Sequence, residues 1–185
     1  MSAPTLVRRE LKNARLSFIP YGEIVDSVTV DSDTWPDADP VANWTAYAFA
    51  DVETVKSENT QKSEVFEVPD AAGGYVEDEE ISITKRMWKF VTSKTNSYLK
   101  MLEHGLASVP AASTAIAPGT NKNPYIDGVM LLEIQNKNGV MIERTQCAAR
   151  LRLVSAGDAG PTTSKIEYSL QMLNSTANSF IVYAG

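Results

Sequence analysis

The 185-residue chain carries one histidine and one cysteine, which limits the covalent chemistry it can support. Any Ser-His-Asp or Cys-His arrangement would have to use His104. His104 closes residues 96–104, which have helical spacing. An imidazole at a helix C-terminus bonds the last carbonyls and favours the negative end of the dipole. Cys147 shares strand parity with Ala149, Leu151 and Leu153, while Gln146, Arg150 and Arg152 face the other way, so it reads as a small core residue. One Cys and one His fall short of a zinc ligand set, and a lone cysteine excludes an internal disulfide. Asp31, Asp33, Asp37 and Asp39 have the density of a calcium loop. Trp35 and Pro36 stand where that loop needs an oxygen ligand and then glycine, so a solvated acidic turn is expected. Gly73-Gly74 lacks the helix and lysine of a phosphate loop, and no dinucleotide fingerprint occurs. The expectation is a chain with no catalytic residue, metal or cofactor.

Charge is more informative. Seventeen basic against twenty-three acidic side chains give a net charge of −6. Such a chain repels nucleic acid, because phosphate binding needs clustered Lys and Arg. Glu77, Asp78, Glu79 and Glu80 form the densest run, read as a solvated strand approach or a docking patch. Arg8, Arg9, Lys12 and Arg15, against Glu10 alone, give the first residues the opposite sign, and an arm of that sign on an acidic body suggests pairing between copies. Trp35, Trp44 and Trp88 suit core or subunit contacts, since interfaces favour Trp, though stacking on sugars is the rival use. Trp35 joins the charged residues as a candidate inter-subunit contact. Arg8, Arg9 and Glu10 interrupt any secretory apolar region, and no apolar run nears the roughly 18 residues of a membrane helix. A soluble product made in the cytoplasm, without membrane insertion, is expected.

The elements that must position these residues are mostly strands. With 43% hydrophobic and 22% charged residues, one globular domain over residues 1–185 is the simplest organisation. Residues 128–135 and 140–154 flank Asn136-Lys137-Asn138-Gly139, a strong hairpin signal because Asn and Gly tolerate positive φ. In residues 165–173, Ile166, Tyr168, Leu170 and Met172 share one face, and Lys165, Glu167, Ser169 and Gln171 the other. That period describes a sheet with one buried and one wet face. Further strands are expected at 14–19, 24–30, 43–50, 63–68, 80–91 and 180–183. A short helix over 96–104, capped by Thr95 or Asn96 and stopped by Gly105, flanks them. Residues 1–12 read as an extended arm, 29–40 as an acidic proline-punctuated loop, 69–74 as a turn and 108–124 as a long loop of small residues. The fold class is mainly β: sandwich or barrel-like antiparallel sheets with one flanking helix.

This order of elements resembles the major tail tube proteins of long-tailed bacteriophages, whose fold the tube of type VI secretion systems shares. Residues 80–106, a strand leading into the helix NSYLKMLEHG, and residues 128–173 carry the resemblance, which covers about two thirds of the chain as pattern rather than as invariant motif. It implies a non-enzymatic virion protein that joins sheets edge to edge into hexameric rings stacked as a tail tube. Loops 29–40 and 108–124 would bridge rings, and DNA would pass through the negatively charged lumen without specific binding. The partners implied are further copies of the chain and other tail proteins such as tape measure and tail terminator. The alternatives are another β-sandwich component of a virion or secretion tube, or a carbohydrate-binding adhesin module.

Overall fold

The computed structural model describes residues 11–38, 42–49, 55–69, 74–92, 96–111, 115, 117, 119–136, 138, 140–155, 165–173 and 180–183. In chain order the elements are β1 (Leu11–Pro20), β2 (Ile24–Val25), β3 (Val28–Thr29), α1 (Ala42–Thr45), β4 (Val55–Pro69) and β5 (Tyr75–Thr92). There follow α2 (Ser97–Glu103), β6 (Tyr125–Asn136), β7 (Met141–Ser155), β8 (Ile166–Met172) and β9 (Phe180–Tyr183). The fold is mainly β, as the sequence predicts. Seven strands form one antiparallel sheet in the order β1-β6-β7-β8-β5-β4, with β9 paired to β7, and β2-β3 make a separate ribbon. The path begins at β1 and ends at β4 and does not close into a barrel.

β7 organises this sheet. One of its edges pairs with β6, while the other is shared by β8 along residues 149–155 and β9 along residues 143–146. The turn from β6 to β7 is closed by Asn136, whose Oδ1 accepts the amides of Asn138 at 2.9 Å and Val140 at 3.0 Å. An Asn side chain bonding the backbone two residues on is the mechanism behind that turn preference.

Both faces of the sheet are covered where β1 and β6 lie. Leu16, Phe18, Met130, Leu132, Cys147, Ala149 and Leu151 form one face, buried under Leu99 and Leu102 of α2. Ile19, Val129 and Leu131 point the other way and are buried under Val25, Val30, Ala38 and Trp44. This explains why β6 reads as a continuous apolar run rather than an alternating one. α2 starts at Asn96, whose Oδ1 accepts the Leu99 amide at 2.9 Å, and ends before Gly105, which sits at φ +61°. The returning loop is stitched to that end: the Gly119 amide donates to the His104 carbonyl at 2.7 Å. A Cβ on Gly119 would lie 1.9 Å from the Gly105 carbonyl oxygen, so only glycine fits this approach.

Several expectations need correction. Residues 43–50 do not form a strand: Ala42–Thr45 is a helical turn, and only Ala48 bridges to Ser17. Burial of Trp44 and its Nε1 bond to the Asp37 carbonyl, 2.9 Å, override the β-propensity of this aromatic stretch. Residues 24–30 are not one strand, because Asp26 and Ser27 both take positive φ and fold β2 back on β3. The arm expected over 1–12 ends sooner, since Leu11 and Lys12 already belong to β1; residues 1–10 lie outside the described residues. In β8 Tyr168 and Leu170 are buried as expected, but so is Ser169, a short side chain between Arg152 and Lys89 on the flanking strands.

Candidate functional site

The residues considered for chemistry serve structure. His104 is the C-cap of α2, its amide bonding the Lys100 carbonyl at 3.1 Å. Cys147 is 1% exposed, and burial pushes its thiol up to about 12, far from a reactive thiolate. Asp31 folds the acidic loop: its Oδ1 accepts the amides of Asp33 at 2.8 Å and Thr34 at 2.7 Å, and these bonds hold its carboxyl below the usual range. No group of three or more His, Cys, Asp or Glu with metal-ligand geometry occurs among the described residues. Trp44 and Trp88 are core side chains, and Trp35 packs against the core under the acidic loop.

Two polar contacts hold loops onto the sheet, and a third joins β6 to β7. Glu23 accepts the hydroxyls of Tyr47, at 3.1 Å, and of Tyr98, joining the chain before β2, the segment after α1, and α2. Burial and then the Glu23 carboxylate raise both phenol pKa values. A cleft of about 240 Å³ opens beside them, lined by Phe18, Phe49, Leu99 and Leu151 among others. Glu133 and Arg144 form a largely buried pair at 2.8 Å, and the Gln146 amide donates to the Pro36 carbonyl at 2.9 Å. These arrangements fasten; they hold no nucleophile beside a base.

The features with functional character are the sheet's two ends. The outer edge of β1 is covered only at its centre, where Phe18 donates to the Tyr47 carbonyl and Phe49 to the Leu16 carbonyl, at 3.1 and 2.8 Å. At the other end β8 pairs with β5 only along residues 87–92. Among the described residues, 75–86 of β5 are paired to β4 alone, making a two-stranded ribbon about 40 Å long at the ~3.3 Å rise of a strand. Residues 61–69 and 75–86 carry Glu64, Glu67, Glu77, Asp78, Glu79 and Glu80 against Lys62, Lys85 and Arg86. The register opposes Glu64 to Glu80 and Glu67 to Glu77. Like charges directly opposite on neighbouring strands destabilise the pairing.

The candidate contact residues therefore fall at opposite ends of the sheet. Lys12 and Arg15 lie on β1, with Arg15 donating to Thr45 Oγ1 at 2.7 Å, while Glu77, Asp78, Glu79 and Glu80 lie on the far ribbon. Arg8 and Arg9 lie outside the described residues. Sequence reasoning missed the Glu23–Tyr47–Tyr98 clamp, whose members are 24 and 75 residues apart from Glu23 with no local signal linking them. It also missed Tyr125, exposed between Arg150 and Arg152, which only strand register brings together.

No known family matches the sequence, and no curated protein matches it. Among solved structures, the chain is similar to one in the sheath-tube complex of an extracellular contractile injection system, PVC, in its extended state. That likeness has a TM-score of 0.44 at 8% identity and covers 92% of this chain and 88% of the other. It is also similar to a chain of the anti-feeding prophage (AFP) baseplate, with a TM-score of 0.36 at 6% identity, over 99% and 98% of the two chains.

Proposed function

We propose that this chain is a structural subunit that joins copies of itself into rings stacked as a tail tube, the role implied by its sequence resemblance to phage tail tube proteins. The observation that carries the reading is the acidic ribbon. An isolated two-stranded hairpin is marginal in water, and among the described residues this one has no third strand, so lying against another surface would stabilise it. Unpaired sheet edges are an aggregation hazard for a monomer and a joint in a ring. The basic segment with Arg8, Arg9, Lys12 and Arg15 meets acidic surface on the next copy, for which the ribbon and the loop around Asp31 are the two sources. Leu6, Val7 and Leu11 bury with it, because charge alone does not offset about 1–2 kcal/mol of entropy per ordered residue. A lumen of excess negative charge would let DNA pass without sticking. The subunit would thus sit in a virion beside tape measure and terminator proteins and perform no catalysis. Burial of Trp44 and Trp88 removes two of the three tryptophans from the adhesin alternative.

Size-exclusion chromatography and negative-stain micrographs of the concentrated protein test the proposal. Rings or tubes are expected, and deletion of residues 2–12 should give folded subunits that no longer polymerise. A clean monomer at high concentration overturns the reading.

A further inference from the structure

One exposed patch on the sheet has the composition of a binding centre. Tyr125 and Val154 are two of the five large apolar side chains that stand exposed among the described residues, at 47% and 45%. Tyr125 opposes Arg152 across β6 and β7, and the Arg150 guanidinium sits 4.0 Å over its ring, with that of Arg152 at 5.8 Å. Arg150 is fixed by a two-pronged bond to Asp127, Nε to Oδ1 at 2.7 Å and Nη2 to Oδ2 at 2.8 Å. Arg152 is exposed, opposed on its other side by Ser169, and has no carboxylate partner among the described residues. A rigid tyrosine flanked by arginines is the side-chain set that concentrates binding energy at interfaces.

We propose that this patch receives the acidic β4–β5 ribbon of a second copy of the chain, an inference that rests on the self-assembly reading above. Charge selects the occupant. Asp127 already neutralises Arg150, which leaves one guanidinium uncompensated among the described residues; that suits a carboxylate cluster but falls short of the several cations a phosphate backbone needs. The ribbon's sequence carries six carboxylates against Lys62, Lys85 and Arg86 in residues 61–69 and 75–86, a net negative charge opposite in sign to Arg152. With the ribbon seated on Tyr125 and Arg152, the basic first residues are left to meet the loop around Asp31.

Sedimentation velocity over a concentration series tests this, with wild type, Arg152→Glu, the milder Arg152→Gln, and Glu77→Lys/Glu80→Lys compared. Each variant should weaken association about tenfold or more while melting like wild type, as loss of an interfacial charge pair does. Combining Arg152→Glu with Glu77→Lys/Glu80→Lys should restore much of it. Association unchanged in both Arg152 variants, with wild type still assembling, overturns the patch and leaves the self-assembly reading standing. Wild type that stays monomeric overturns the self-assembly reading itself. Single-stranded DNA binding lost on Arg152→Glu with assembly intact would reassign the patch to nucleic acid and overturn the proposal.

Discussion

Where β1, β6 and β7 lie together both faces of the sheet are packed, and the polar groups between them, Glu133 with Arg144 and Gln146 with the Pro36 carbonyl, are paired within the chain. Where β4 and β5 run on past β8, the same kind of antiparallel pairing has no third strand among the described residues and registers Glu64 with Glu80 and Glu67 with Glu77. The first region is complete as a monomer, since buried polar groups are satisfied and apolar side chains are removed from water. The second is the region in which the self-assembly proposal places a partner.

The contrast sets an order of effects. Trp44→Ala should be the most damaging, about 3–5 kcal/mol, because it empties a fully buried site and orphans the Asp37 carbonyl; a thermal melt should fall by roughly 2–4 °C per kcal/mol. Leu170→Ala should cost about 2–5 kcal/mol in urea unfolding while Gln171→Ala stays within ~0.5 kcal/mol, since only Leu170 faces the core under α2. Equal losses at the two positions would mean both faces of β8 are sealed. His104→Gln should lower stability by only about 0.3–1 kcal/mol through the helix dipole and leave assembly intact. Glu80→Gln should leave the free subunit unchanged or raise its stability by about 0.2–1 kcal/mol, because it removes a repulsion with Glu64. A clear loss there, measured on the dissociated subunit, would show that the ribbon is already satisfied within one copy.

The legible parts of this fold were those dictated by neighbours in sequence. The Asn136 turn, the Asn96 cap and the Gly105 stop each depend on a few adjacent residues and are found where the pattern put them, while in β8 Tyr168 and Leu170 are buried as expected but Ser169 is buried as well. The segment around Trp44 was misread because its conformation is set by a hydrogen bond to Asp37 and by burial beneath β6, neither visible as periodicity. Residues 24–30 were misread because Asp26 and Ser27 reverse the chain without a glycine at either position. For the contact surfaces, the sign of the charge in residues 77–80 was plain, but its setting depends on register. That β5 outruns β8, that Glu64 faces Glu80, and that Tyr125 meets Arg152 all follow from pairings between strands distant in sequence.

Cys147 has a use that follows from its place in the middle of β7. Its sulfur lies in the core beneath α2 and its thiol is held almost wholly protonated at neutral pH, so a thiol reagent can reach it only when the sheet opens. Because it is the chain's sole cysteine, the rate at which one equivalent of reagent is consumed reads out how often β7 parts from its neighbours. The native sequence thus carries a built-in clock for that opening, readable on free subunits and on assembled ones without introducing any label.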